Sequence, residues 1–387
     1  MAIVPDEIVK LYHEHFPEQA ATPAVYRAPG RVNLIGEHTD YNLGYVCPIA
    51  LEMACYALIA PASHGNIRIY SRDLAKEFSI PVADVGTAAP RHAWSDYIVG
   101  VAQELHKKGF EIGACDLLVA SNVPSGSGLS SSAALEISTA LAFLGGREFE
   151  KTELARLGQR AEGSFVGMPC GIMDQYASVF GHAHSALQID CRSLTHKLIT
   201  LPQNVRIIAV NSMVKHELGN SAYRERVAEC AAAVEAIQAI DENVKSLRDV
   251  SLEFFSRIQD SVPLLPRKRG RHIISDSQRV LDLAAAAEKQ DLREMGRLFV
   301  ASHRSMQYDY EITCDEIDFL VDTAIKLPGV YGSRMTGGGF GGCTVSLVAP
   351  DAVSEFQDKL TRAYQERYKL TPVFYACDPA EGAGRVL

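Results

Sequence analysis

Residues 122–146 read NVPSGSGLSSSAALEISTALAFLGG, and their interpretation decides the fold. Pro124, Ser125 and Gly126 make a turn signal, and Gly126-Ser127-Gly128-Leu129 runs into three serines, Ser130, Ser131 and Ser132. Ala134, Ile137, Leu141 and Leu144 then recur at three- and four-residue spacing, one face of a helix that Gly145-Gly146 closes. The preceding ACDLLVAS reads as a strand. Strand, glycine turn and helix N-terminus together form an anion site. Glycine lets backbone N–H groups approach a phosphate, and the helix start offers unpaired donors and the positive end of its dipole. The serine hydroxyls can cap the helix, touch phosphate oxygens or ligate Mg²⁺. A Ser-rich capped helix start is the plainer reading of a generic glycine–serine loop. Here turn, triple serine and periodic helix coincide, which favours phosphate.

Two familiar phosphate loops are excluded. No Gly-Lys-Ser/Thr follows, so this is not a Walker A loop, and Ser131 stands where a dinucleotide fingerprint needs its third glycine. The stretch resembles the GLSSSAA motif of the GHMP small-molecule kinases. That resemblance implies a two-domain α/β architecture with the active site in the cleft between the domains. It also implies ATP held on residues 124–132.

At 387 residues two domains are expected, with a boundary near 205: residues 1–205, then 206–387, whose last strand can return to the N-terminal domain. Lys and Arg number 38 against 47 Asp and Glu, a net charge of −9, which argues against nucleic acid or an anionic membrane as partner. Nine cysteines without C-x-x-C spacing read as reduced thiols, not a zinc site or a disulfide framework. The first residues carry charge where a signal peptide needs an apolar run, and the apolar stretch 48–62 is interrupted by Glu52. A cytoplasmic monomer with no membrane partner is expected.

A second stretch, residues 26–42, carries Arg31, Glu37, His38, Asp40, Tyr41 and Asn42 in a polar loop after a turn at Pro29-Gly30 and a short strand Val32–Ile35. Such a concentration is poor core material. Glu, His and Asp also fit a metal site, but the flanking Arg and Asn suit recognition of several hydroxyls. GRVNLIGEHTDYN closely resembles the signature of the galactokinase family within the GHMP kinases. The resemblance implies that Arg31, Glu37, His38 and Asp40 face galactose.

The sequence predicts helices over 6–16, 91–105 (with the lone Trp94 as core packing), from Thr152 as cap, 215–239, 278–290, 292–306 and 314–326. Strands are expected at 55–60, 66–70, 205–213 and 344–348. Glu162 falls on the shoulder of its helix's apolar stripe, a position that by itself favours a solvated edge. In GMPCGIMDQY, residues 167–176, Asp174 reads equally as a turn or cap residue and as a buried, partnered acid, and Cys170 as packing. The family resemblance implies more. Glu162 would ligate Mg²⁺ with Ser132 (Ser131 the near alternative), and Asp174 would stand beside the sugar's C1 hydroxyl with Arg31 next to it. Gly171 and Tyr223 would belong to the sugar site. The anomeric hydroxyl is more acidic than an ordinary alcohol, so a weak base is enough to take its proton.

The basic run in 266–272 reads as a solvated loop. Gly337, Gly339 and Gly342 formally satisfy G-x-G-x-x-G, but a strand follows where a helix is required, so the hit is false. It resembles the C-terminal GHMP motif instead. Two rivals share these motifs: an N-acetylgalactosamine kinase, and a non-catalytic galactose/ATP sensor. The sensors resemble the family with a shortened Ser/Ala run, whereas SSSAALE is intact here.

Overall fold

The computed structural model describes residues 5–215 and 219–387. The N-terminal half alternates a sheet with helices in chain order: α1 Pro5–His15, β1 Ala24–Asn33, β2 Tyr45–Val46, β3 Pro48–Pro61, β4 Asn66–Ser71, β5 Lys76–Pro81, α2 Asp96–Lys107, β6 Cys115–Ser121, α3 Ser131–Leu144, α4 Lys151–Arg160, α5 Met173–Phe180, β7 Ser185–Asp190 and β8 Thr195–Thr200. The C-terminal half runs β9 Arg206–Lys215, α6 Gly219–Gln238, α7 Leu252–Ile258, α8 Leu264–Glu288, α9 Leu292–Ser305, α10 Asp315–Ala324, β10 Val330–Thr336, β11 Gly341–Val348, α11 Val353–Tyr368, β12 Val373–Ala376 and β13 Gly384–Arg385.

The main sheet has the order β13-β1-β3-β6-β4-β5, antiparallel except for the parallel β4–β6 pair. The period of two in its strands divides the core. Leu117 and Val119 of β6 pack with α2, α3 and α5, while Leu118 and Ala120 turn to the other face beneath Ile8 and Tyr12 of α1 and Phe16 just past its end. A second, four-stranded antiparallel sheet, β10-β11-β9-β12, repeats the device: Ile207 and Ala209 face α8 and α9, and Ile208 and Val210 face α10 and α11. One apolar cluster joins the halves, with Val32, Leu34 and Ile49 packed against Val280, Leu298 and Val345. The chain ends back on the first sheet, where Tyr26 pairs with Arg385.

Several expectations change. Pro29-Gly30 is no turn but an irregularity within β1, where the register with β3 shifts. A Cβ on Gly30 would stand 2.6 Å from the Leu129 carbonyl, so this glycine lets the glycine–serine loop approach; Arg31 N–H donates to that carbonyl at 3.1 Å. Helix α2 starts at Asp96, because the Asp96 carboxylate accepts from the N–H groups of Arg91 (2.8 Å) and Ala93 (3.2 Å) and holds a turn ahead of the helix. Trp94 sits in that turn, half-buried against the first core. The cap of α4 is Glu150, which accepts from Thr152 and Glu153 N–H, not Thr152. Lys215 closes β9, residues 216–218 of the expected helix lie outside the described residues, and α6 is described from Gly219. The basic run lies inside α8 and is neutralised base by base: Arg267 with Asp260, Lys268 with Glu311, Arg269 with Glu229 and Glu311, Arg271 with Asp309. The second glycine loop joins β10 to β11 as a hairpin, as its following strand requires.

All nine cysteines are free thiols. Among the described residues no helix is long and apolar enough to cross a membrane.

Candidate active site

The polar loop after β1 is tied down by its own hydroxyl and amide groups. Thr39 Oγ1 reaches the Gly36 (2.9 Å) and Tyr45 (2.6 Å) carbonyls, and Asn42 Nδ2 donates to the His38 carbonyl at 2.9 Å. Glu37 is buried; it pairs with the fully buried Arg334 of β10 and accepts from Gly337 N–H at 3.2 Å. Burial outweighs that arginine and raises its carboxyl pKa. His38 Nε2 faces the Gly338 carbonyl at 3.1 Å and Nδ1 the Tyr41 hydroxyl at 2.8 Å. A proton on Nε2 satisfies both contacts. Burial lowers the imidazole to about 3, so His38 is neutral. Asp40 Oδ1 accepts from Tyr41 N–H at 3.0 Å and Oδ2 from Met173 N–H at 3.4 Å. Burial, then the charge of Asp174, lifts its carboxyl to about 6. Gly171 faces this carboxylate so closely that a Cβ would lie 1.7 Å from Asp40 Oδ2; only glycine fits.

Asp174 opens α5 and meets Arg31 of β1 in a forked pair, Nε to Oδ1 at 3.0 Å and Nη2 to Oδ2 at 2.9 Å. Arg31 Nη1 continues to the Gly128 carbonyl, tying the pair to the glycine–serine loop. Ser130 occupies the left-handed region (φ 62°) ahead of α3, and its hydroxyl donates to Asp174 Oδ2 at 2.6 Å instead of capping the helix. Ser127 is likewise consumed locally, donating to the Pro124 carbonyl at 2.7 Å, and Leu129 is wholly buried. Ser125 and Gly126 are exposed, and Ser131 and Ser132 half-buried, at the start of α3.

Glu162 is not a solvated edge. Past Arg160 the helix widens into a π-turn, residues 161–166, which swings Glu162 into the interior. Burial and the Asp174 charge raise its carboxyl to about 7, opposed by hydrogen bonds from Ser132, Gln175 and Cys170. It is Ser132, not Ser131, that makes this contact. Burial also pushes the Cys170 thiol far up, so it is no nucleophile.

These groups face one cavity of about 720 Å³, lined by Arg31, Glu37, His38, Asp40, Glu162, Gly171, Asp174 and Tyr223 with Gly126, Gly128 and the loop 337–342. The two glycine loops meet at its edge, where a Cβ on Gly337 would stand 3.1 Å from the Gly128 carbonyl. Tyr223, from α6, sets its ring 4.8 Å from His38. Sequence reasoning missed Arg334, Gln175 and Glu136. A lone acid at 136 amid apolar helix residues was the available signal for one of them; Arg334 in a strand carried none.

A β-sheet layer feeding a glycine–serine loop onto a helix N-terminus, beside a cleft floored by an Arg–Asp pair, defines a small-molecule kinase of the GHMP class. GHMP kinase N-terminal and C-terminal domains match residues 96–182 and 283–366, and the galactokinase galactose-binding signature matches residues 10–61. The galactokinase of Roseiflexus sp. (strain RS-1) is 44% identical over 365 residues, covering 94% of this chain and 93% of the relative. The crystal structure of Lactococcus lactis galactokinase complexed with galactose superposes with a TM-score of 0.95 at 32% identity, over 99% of this chain and 100% of that one. Methanococcus jannaschii mevalonate kinase shares the fold alone, with a TM-score of 0.64 at 19% identity over 94% of this chain and all of that one. The chain belongs to the galactokinase family, and it is an ATP-dependent sugar kinase.

Proposed function

We propose that this enzyme transfers the γ-phosphoryl group of ATP to the C1 hydroxyl of α-D-galactose, with Asp174 as the group that receives the hydroxyl proton. The observation that carries the reading is the Arg31–Asp174–Ser130 cluster. It joins the sugar cavity to the phosphate loop through the Gly128 carbonyl. Phosphoryl transfer needs positioning and charge neutralisation more than covalent chemistry. Arg31 and Ser130 aim the Asp174 carboxylate, and Arg31 stands to offset charge on the group in transit. Glu37, His38, Asp40 and Tyr223 hold the remaining hydroxyls. Gly171 leaves room for Asp40 to turn to the sugar. The backbone of residues 124–132 holds the nucleotide phosphates.

The donor set fits Mg²⁺: a serine hydroxyl on a buried carboxylate that has no cationic partner among the described residues. Mg²⁺ favours one or two carboxylates completed by substrate phosphates. Ser132 and Glu162 would hold the ion, which would supply charge neutralisation at the phosphate oxygens. The chain reads as a cytoplasmic monomer of two domains, 1–205 and 206–387, with β13 returned to the first.

The test is an ATP-coupled assay with galactose, N-acetylgalactosamine, glucose and no sugar, locating the new phosphate by NMR. Galactose-dependent turnover with phosphate on C1 is expected, and poor turnover of glucose, since buried groups built for one hydroxyl are left unpaired by its epimer. Comparable kcat/KM for glucose and galactose refutes the sugar site. Turnover with the acetamido sugar alone transfers the assignment to that kinase.

A further inference from the structure

Behind Glu162 lies a buried amide that the reaction as described does not use. Gln175 follows Asp174 in α5 and is fully buried. Its Nε2 donates to Glu162 Oε2 at 2.7 Å and to Glu136 Oε2 at 2.9 Å. One amide nitrogen carries two hydrogens, so each carboxylate takes one, and this fixes which way the amide faces. Glu136 belongs to α3, one turn after Ser132 and on the same helix face. The contacts therefore close a ring: Ser132 to Glu162, Glu162 to Gln175, Gln175 to Glu136, and back along α3 to Ser132.

Room for the ring is built in. A Cβ on Gly158 of α4 would stand 2.9 Å from Gln175 Cγ and 3.4 Å from Glu136 Oε2. Gln175 Oε1 and Glu136 Oε1 are buried without a protein partner. Burying unpartnered acceptors is costly, and stability alone would be better served by apolar side chains. The arrangement fixes an orientation instead.

We propose that Gln175 is a positioning residue for the cation site: with Oε2 of Glu162 committed to its amide, Glu162 and Ser132 are held as a preformed pair before the nucleotide arrives. This rests on the reading of Ser132 and Glu162 as metal ligands. Removing such an outer partner of a metal ligand weakens metal binding by about 10- to 100-fold.

The experiment measures Mn²⁺ binding by electron paramagnetic resonance with nucleotide present, together with galactose affinity by calorimetry, for the parent, Gln175→Met and Glu162→Gln. Gln175→Met should bind Mn²⁺ about tenfold or more weakly, with galactose affinity unchanged and the Mg²⁺ concentration for half-maximal rate raised in parallel. Parent-like Mn²⁺ affinity in Gln175→Met, beside a weakened Glu162→Gln, overturns the role of Gln175 and leaves the ligand reading standing. Unchanged affinity in Glu162→Gln overturns the ligand reading itself, and this inference with it. Should Gln175→Met not fold, Gln175→Asn keeps the amide but shortens its reach; parent-like Mn²⁺ affinity there is equally fatal.

Discussion

Asp174 and Glu162 face the same cavity and are held in opposite ways. Asp174 has a forked arginine and a serine hydroxyl on it, so the chain answers this carboxylate with its own positive charge. Glu162 has an amide, a hydroxyl and a thiol, with a second buried carboxyl behind it. Its pKa rises to about 7 because burial and the neighbouring charge are not balanced by a cation among the described residues. In the proposed reaction Arg31 would supply positive charge on one side of the transferred group, and Glu162, which has no cationic partner among the described residues, would leave the other side to an ion arriving with the nucleotide.

The change that should break this comparison most severely is Asp174→Asn. The amide keeps an acceptor for Arg31 but cannot take a proton. We expect kcat to fall by roughly 10²- to 10⁴-fold, with galactose binding retained, by steady-state kinetics beside calorimetry. An unchanged kcat would remove Asp174 from the chemistry and leave it a strut for Arg31.

Glu37 sharpens the contrast, being a carboxylate answered by an arginine with both partners buried. Removing one partner of a buried pair leaves the other charge stranded, so Arg334→Met should cost about 3–5 kcal/mol of stability. Thermal unfolding without ligands measures it. A cost within the range of a surface substitution would mean that Glu37 is already protonated and needs no arginine.

Legibility in the sequence followed the same division. The Arg31 and Asp174 motifs are local strings, and although 143 residues separate the two, each lies in a segment rigid enough to be recognised alone. The helix α3 was readable from its apolar spacing and closing glycines. Glu162 was legible only through the family resemblance: helical periodicity put it at an edge, and the π-turn, which no period of 3.6 anticipates, brings it inside. The basic run in α8 misled because charge density looks the same whether water or Glu229, Glu311 and Asp309 answers it. Arg334 shows the limit most plainly. Its partner is set by the packing of the second sheet against the sugar loop, which is a tertiary fact.

Asp40 offers the smallest effect and a way to test the sugar side by pH alone. Its carboxyl lies at about 6, raised from 3.8 by burial and then by Asp174. Between 3.8 and about 6 the folded protein holds a proton that the unfolded chain has released, so this group's contribution to stability is fully present under the unfolded value and is lost as pH rises through 6. Sugar hydroxyls that donate to Asp40 favour its ionised form, so galactose must displace that proton. Galactose affinity, measured by calorimetry without nucleotide, should therefore fall by up to about tenfold for each pH unit below 6. His38, at about 3, does not titrate in that range and cannot produce the same slope. In Asp40→Asn the slope should vanish along with most of the affinity. A parent affinity that stays flat across this range would show that Asp40 braces the loop through Tyr41 and Met173 N–H without accepting from the sugar.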